Sequence, residues 1–215
     1  KENNFYGGHG IVGAQVPIGT GIAFTHKYNN EKNICRTYIG DGAMNNGQVF
    51  EAFNLASLWK LPVLYIIENN KYGMGTSVDR AAAGSDLYKR GEAFGIPGEK
   101  VDGMNIFKVI DAADRAGKYV RDGNGPYIIE VQTYRYRGHS MSDPAKYRSK
   151  EELENYKETD PIEIVKTELL KKKFATENEV LKINKEILEE IKSAADYALK
   201  SSYPSDNELY TDVYI

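Results

Sequence analysis

The chain has 215 residues, of which 41% are hydrophobic and 27% charged, and a formal net charge of −3. That length supports one good-sized domain with its own core, and that balance excludes an intrinsically disordered chain. No apolar run approaches the roughly 20 residues that span a bilayer, and the mildly acidic balance leaves no nucleic-acid footprint, so neither membrane nor nucleic acid is expected as a partner.

In chain order, the start Lys1-Glu2-Asn3-Asn4-Phe5 has no initiator Met and no apolar signal stretch, and it reads as internal to a longer protein. Gly8-His9-Gly10-Ile11-Val12-Gly13 satisfies the Gly-x-Gly-x-x-Gly pattern of a dinucleotide site, and a helix is expected to follow near Pro17, with His26 on its surface. No strand precedes that pattern, so the dinucleotide reading is weak. Ile34–Ile39 and Val63–Ile67 are short β-favouring runs, and between them Val49, Phe50, Phe53, Leu55, Ala56 and Trp59 recur at helical spacing. A strand, helix, strand unit of this kind makes its strands parallel with a right-handed crossover. The lone Cys35 in the first run excludes a disulfide framework or a cysteine zinc site, and favours a reducing compartment.

A further helix is expected over Ile106–Arg121 and a strand over Tyr127–Thr133. Beyond Gly138 there is no glycine, and residues 150–215 carry 16 acidic side chains against 10 lysines. Ser149/Glu152 and Thr176/Glu179 have capping-box spacing, and Asp160-Pro161 offers an N-cap followed by Pro, so three helices are expected there. In the last, Val180, Ile183, Ile187, Ile191, Ala194 and Ala198 form one apolar stripe that requires a partner surface. The reading is an α/β fold: an open parallel sheet with helices on both faces over residues 1–148, followed by an all-helical part, 149–215, packing on the domain and on a partner.

Ligands of such sheets bind beyond the carboxyl ends of the strands. Gly40-Asp41-Gly42 follows the first run, and Glu68-Asn69-Asn70-Lys71-Tyr72-Gly73 follows the second. Each alone is ordinary turn chemistry. Pairing of the two strands brings a carboxylate and an amide oxygen to one point, and hard oxygen donors without His or Cys suit Mg2+ or Ca2+. Mg2+ completes its octahedron with phosphate oxygens and water, while the Gly42-Ala43 amides and the helix opening after Gly47 would face the same anion. These features together point to a magnesium diphosphate site.

Gly40-Asp41-Gly42, then 26 residues, then Asn69-Asn70 resembles the thiamine diphosphate motif of thiamine-dependent enzymes. The resemblance runs through Phe5–Gln15, Glu51–Ala56, Tyr72–Ser77, Tyr88–Gly91, Val101–Met104 and Tyr134–Pro144 to the alpha subunits of thiamine diphosphate-dependent 2-oxo acid dehydrogenases. Gly138-His139-Ser140-Met141-Ser142-Asp143-Pro144 favours the pyruvate-oxidising branch over the branched-chain and acetoin branches.

This resemblance implies that Asp41 and Asn70 give side-chain oxygens, and Tyr72 its carbonyl, to Mg2+, with Asn69 in support. It also implies that Gly40, Gly42 and Ala43 form the diphosphate turn, and that Gly10 and Val12 contact the aminopyrimidine through their backbones. His139 matches an active-site loop histidine near the diphosphate and the incoming lipoyl group. Ser140 and Ser77 match serines phosphorylated in mitochondrial members. After Pro144, however, Ala145-Lys146-Tyr147-Arg148 is one residue shorter than the mitochondrial pattern and lacks its next serine, favouring bacterial cytoplasm over mitochondrial matrix.

The implied chemistry is decarboxylation of pyruvate on thiamine diphosphate and transfer of the acetyl group to the lipoyl group of an acyltransferase core. No carboxylate here matches the one that holds the aminopyrimidine, which in the family comes from a beta subunit within an alpha2-beta2 tetramer. The family's upstream segment, with a Tyr-Arg pair for diphosphate and substrate, has no counterpart in these residues. A non-catalytic scaffold subunit is the alternative of a different class.

Overall fold

Strands and helices alternate along the first two thirds of the chain in the computed structural model, which describes residues 4–211. The strands are β1 (Cys35–Gly40), β2 (Val63–Asn69), the short pair β3 (Tyr72–Gly73) and β4 (Thr76–Ser77), β5 (Gly98–Asp102) and β6 (Tyr127–Gln132). The helices are α1 (Gln15–Tyr28), α2 (Gly47–Leu58), α3 (Val78–Ala81), α4 (Ile106–Arg121), α5 (Lys150–Lys157), α6 (Pro161–Lys171) and α7 (Glu177–Lys200). The chain divides into two compact units, Lys1–Pro161 and Ile162–Ile215.

In the first unit the main sheet has the order β1-β2-β6-β5, every pairing parallel. The open parallel sheet expected from the strand, helix, strand pattern is therefore present. β2 is a central strand, and this explains its unbroken apolar run: Val63, Tyr65 and Ile67 face one layer, Leu64 the other, all nearly or fully buried. The first layer holds α1, α2 and a 3-10 helix at Leu87–Phe94; its core includes Val16, Phe53 and Leu87, and Thr20 of α1 meets the Tyr65 hydroxyl at 2.7 Å. The second layer is α4, whose Ala112, Ala116 and Val120 cover Leu64 and Ile129.

α4 has the bounds its periodicity predicts, opened by Asn105, whose side chain accepts from the amides of Phe107 and Lys108. β1 and β2 run one and two residues further than expected, to Gly40 and Asn69, which lengthens the sheet toward the turns that follow. β5 was not anticipated. Its sequence Gly-Glu-Lys-Val-Asp buries only Val101, as an edge strand with one polar side does.

The first unit runs on to Pro161, past the change in glycine content, because α5 lays Leu153 and Tyr156 beside a cluster of Tyr72, Met104 and Tyr134. Tyr134 and Tyr156 stack with ring centroids 3.9 Å apart. In the second unit, Thr176 and Glu179 close both halves of the expected capping box at the start of α7. Ile183, Ile187 and Ile191 of its apolar stripe are 56%, 52% and 64% exposed. Among the described residues no helix is long and apolar enough to cross a membrane.

Candidate functional site

The parallel register sets Gly40 at the end of β1 beside Glu68 of β2, so the turns that follow these strands start as neighbours. The first turn is a 3-10 helix, Gly42–Asn45, which passes through Asn46 into α2. The second folds back as the β3 and β4 pair, with Tyr72 opposite Ser77. Two non-glycine residues in it, Lys71 (φ 75°) and Met74 (φ 54°), are left-handed, a conformation that costs roughly 1–2 kcal/mol per residue. Side chains hold the turn: Asn69 Oδ1 accepts from the Lys71 amide at 3.2 Å, and Asn70 Oδ1 from the Tyr72 amide at 3.4 Å.

Asp41 is 4% exposed between these turns. Burial pushes its carboxyl above the ordinary range, while its own amide, the Arg135 guanidinium, the Asn70 amide and Lys71 pull it down. The structure thus brings together the Asp41 carboxyl, Asn70 and the segment of Tyr72. These donors fit Mg2+: one carboxylate, one amide oxygen and one backbone carbonyl, all hard oxygens. The Tyr72 carbonyl already accepts from Arg135 Nη1 at 3.1 Å, and a carbonyl has a second lone pair to offer. Gly42 and Ala43 lie in the 3-10 turn, where backbone amides could face a diphosphate.

Arg135, which the sequence did not single out, ties the asparagine turn to the loop carrying His139. Its Nη2 donates to the Met74 carbonyl at 2.7 Å and to the Tyr147 hydroxyl at 2.9 Å, and its Nη1 lies 3.3 Å from His139 Nδ1. Asp143 closes that loop, accepting from the His139 amide at 2.7 Å, the Ala145 amide at 2.8 Å and the Tyr147 hydroxyl at 2.8 Å. Those bonds hold the Asp143 carboxyl below its usual value. Gly138 sits where any Cβ would meet the Asp143 carbonyl at 2.4 Å, so only glycine allows this closure. His139, Ser140 and Met141 are exposed at its tip, with Ser140 and Ser142 hydroxyls 3.1 Å apart.

Gly10 and Val12 are exposed in the segment before α1. The Val12 carbonyl is fixed by Asn46 Nδ2 at 3.1 Å and Gln48 Nε2 at 3.2 Å, which ties this segment to the start of α2. A Cβ added at Gly13 (φ 85°) would meet the same two side chains, Gln48 Nε2 at 2.9 Å and Asn46 Nδ2 at 3.0 Å. Residues 4–7, which stand before Gly8–Gly13, are not in a strand. His26 is bound to Glu31 at 2.5 Å and stands outside this cluster.

The Tyr72 hydroxyl, from the asparagine turn, and the Tyr134 hydroxyl both donate to Glu152 of α5, each at 2.9 Å from Oε1. Burial first, and the Glu152 carboxyl second, push both phenols up to about 12. Glu152 was read as the partner of Ser149 in a capping box. Only half of that box forms, since the Glu152 amide donates to Ser149 Oγ while its carboxyl turns inward to the tyrosines.

The parallel sheet carries an aspartate turn and an asparagine turn at adjoining strand ends, and comparison with known proteins gives the family. The model of the family described as "Dehydrogenase E1 component" matches residues 1–206, and the chain belongs to this family. It is 58% identical over 212 residues to the "Pyruvate dehydrogenase E1 component subunit alpha" of Rickettsia felis, covering 99% of this chain and 65% of that one. The protein of the same name from Rhizobium meliloti is 56% identical over 216 residues, covering 100% and 62%. A "Pyruvate dehydrogenase E1 component subunit alpha, mitochondrial" from Dictyostelium discoideum is 52% identical over 214 residues, covering 99% and 56%. The chain therefore spans about two thirds or less of the length of these curated relatives.

Proposed function

We propose that this chain supplies the alpha-subunit half of a thiamine diphosphate-dependent pyruvate dehydrogenase, acting with a beta subunit and passing its acetyl group to the lipoyl group of an acyltransferase. The observation that carries the reading is the placement of the Asp41 carboxyl against the Asn70–Tyr72 turn at adjoining ends of β1 and β2. The names of the relatives support pyruvate as the substrate.

In this reading Asp41, Asn70 and the Tyr72 carbonyl hold Mg2+, and the amides of Gly42 and Ala43, beyond Gly40, receive the diphosphate. The bound cofactor supplies a nucleophilic carbon and an electron sink for loss of CO2. Val12, its carbonyl fixed by Asn46 and Gln48, and Gly10 offer backbone groups to the aminopyrimidine. Arg135 keeps the Tyr72 carbonyl and the His139 ring in one frame, so movement of the loop and alignment of the metal turn are linked. His139, at the exposed tip, is placed to meet an incoming lipoyl group. Ser140 and Ser77 are the positions where an added phosphate would act, Ser140 beside His139 and Ser77 opposite Tyr72. The exposed apolar stripe of α7 suits a partner subunit. The bacterial relatives favour a bacterial cytoplasmic setting over the mitochondrial matrix.

The test is a calorimetric titration of thiamine diphosphate with Mg2+ into the full-length chain, alone and mixed with a beta subunit. Binding in the mixture, followed by CO2 release from pyruvate, supports the reading. A folded complex that binds neither cofactor nor metal overturns it in favour of a scaffold subunit.

A further inference from the structure

β6 lies in the interior of the sheet, and its residues Ile128, Glu130 and Gln132 alternate onto the face that carries Ile67 and Asn69 of β2. A glutamate at such a position must be satisfied in place, because an unpaired buried carboxyl costs several kcal/mol. Glu130 is 0% exposed and every partner donates to it: Asn69 Nδ2 at 2.7 Å, Gln132 Nε2 at 2.5 Å and the Tyr88 amide at 3.1 Å. Replacing such a group by an apolar side chain would strand three donors, so its presence organises those donors rather than filling space.

Each donor leads to a wall of the site. Asn69 has only one amide group. With its Nδ2 on Glu130, its Oδ1 is turned to the Lys71 amide, and that bond shapes the left-handed Lys71 and the turn through Asn70 and Tyr72. Lys71 is also tied back to Gln132, whose amide nitrogen is already on Glu130. Tyr88 belongs to the 3-10 helix Leu87–Phe94, and two residues on Arg90 donates to the Met44 carbonyl at 2.7 Å, inside the Gly42–Asn45 turn. Glu130 also faces Arg90 electrostatically.

We infer that Glu130 is a positioning residue for the metal and diphosphate site, fixing the Asn69–Tyr72 turn through Asn69 and steadying the Gly42–Asn45 turn through the Tyr88 to Arg90 segment. It touches neither metal nor cofactor and acts through the groups that do. This inference rests on the reading of the site given above.

The experiment uses the full-length chain assembled with its beta subunit. Glu130→Gln keeps the shape and replaces one acceptor oxygen by an NH2 group facing N–H donors. Mg2+ is titrated at fixed thiamine diphosphate, and hydrogen exchange of the peptide over residues 69–77 is followed without metal. The expected result is a Mg2+ requirement about 10-fold to 100-fold higher, the usual effect of disturbing an outer-shell partner. Faster exchange over 69–77 is expected with it, while turnover at saturating Mg2+ stays close to the parent's. Asn69→Ala, which removes the carrier of the effect, gives the same shift, and the double variant adds little to it. Ile129→Ala, on the opposite face of the same strand, lowers the melting temperature but leaves the Mg2+ requirement unchanged.

A parent that binds the cofactor and a Glu130→Gln variant with the same Mg2+ requirement overturn this inference alone. An equal shift in Ile129→Ala also overturns it, by reducing Glu130 to a core residue. A parent complex that binds no thiamine diphosphate and Mg2+ overturns the proposed function, and this inference with it.

Discussion

A single carbon added to Gly73 would lie 3.3 Å from the Cα of Gly42 and 3.8 Å from Oδ2 of Asp41. The aspartate turn and the asparagine turn thus touch through facing glycines, with no side chain between them. Gly73→Val should force the turns apart while leaving the sheet, whose core lies below, intact. The expected result is at least tenfold weaker binding of thiamine diphosphate with Mg2+, about 1.4 kcal/mol. Calorimetry, with circular dichroism as the fold control, reads it; parental affinity would show that the turns need no close contact.

Asp41→Asn should abolish Mg2+-dependent cofactor binding without weakening the metal-free fold. Burial holds the Asp41 carboxyl above its unfolded-state value. Its contribution to stability is therefore complete below the unfolded value, near 4, and is lost as pH rises through the higher folded value. Above that folded value the ionised side chain works against folding until a cation joins it. The metal-free variant should melt at or above the parent's temperature at pH 7, with any gain vanishing below about pH 4. A clear fall in melting temperature at pH 7 would contradict this account.

His139→Ala should leave Mg2+ bound, since His139 reaches the Tyr72 turn only through Arg135. Acetyl transfer to a lipoyl acceptor should slow about a hundredfold, the scale of losing a positioned acid or base. Single-turnover kinetics with and without acceptor separate the two steps, and weakened Mg2+ binding in this variant would place His139 elsewhere.

The paired phenols give a pH signature. Tyr72 and Tyr134 are each pushed up to about 12, by burial first and by Glu152 second. The stability they contribute is present below the unfolded value near 10 and is lost as pH rises toward 12. In an ultraviolet titration they should ionise after the exposed tyrosines and together with unfolding. Glu152→Gln should shift both downward but not fully to 10, because burial remains; an unchanged titration would sink the coupling.

Thr176→Ala removes the acceptor for the Glu179 amide and one arm of the box that opens α7. The loss should be about 1 kcal/mol, confined to the first turns of that helix. Amide exchange over residues 177–182 checks it, with rates in the sheet unchanged.

What could be read from the sequence follows from how local each signal is. α4 declares itself through Asn105 and its periodicity, both within one stretch of chain, and β2 through an unbroken apolar run. The meeting of the Asp41 turn with the Asn69–Tyr72 turn was legible because both directly follow paired strands, whereas the roles of Asn70 and Tyr72 within it rest on the family resemblance. Arg135 was not, because the Tyr72 and Met74 carbonyls it grips lie 63 and 61 residues away. Glu130 was missed for the same reason, its partner Asn69 being 61 residues distant. Its one local signal, a glutamate in the middle of Tyr-Ile-Ile-Glu-Val-Gln, reads as an outward-facing residue when alternation is assumed. β5 escaped because a polar edge strand has almost no apolar pattern to show.

The half-closed box on α5 links a short helix to the fate of a turn about 80 residues earlier. An eight-residue helix is too short to persist in water by itself. By sending its Glu152 carboxyl to Tyr72 and Tyr134 instead of back to Ser149, it exchanges local closure for a distant tether. A protease site within residues 150–157 would then act as a gauge of the Tyr72 turn, resistant while Tyr72 is seated and cut once that turn lets go.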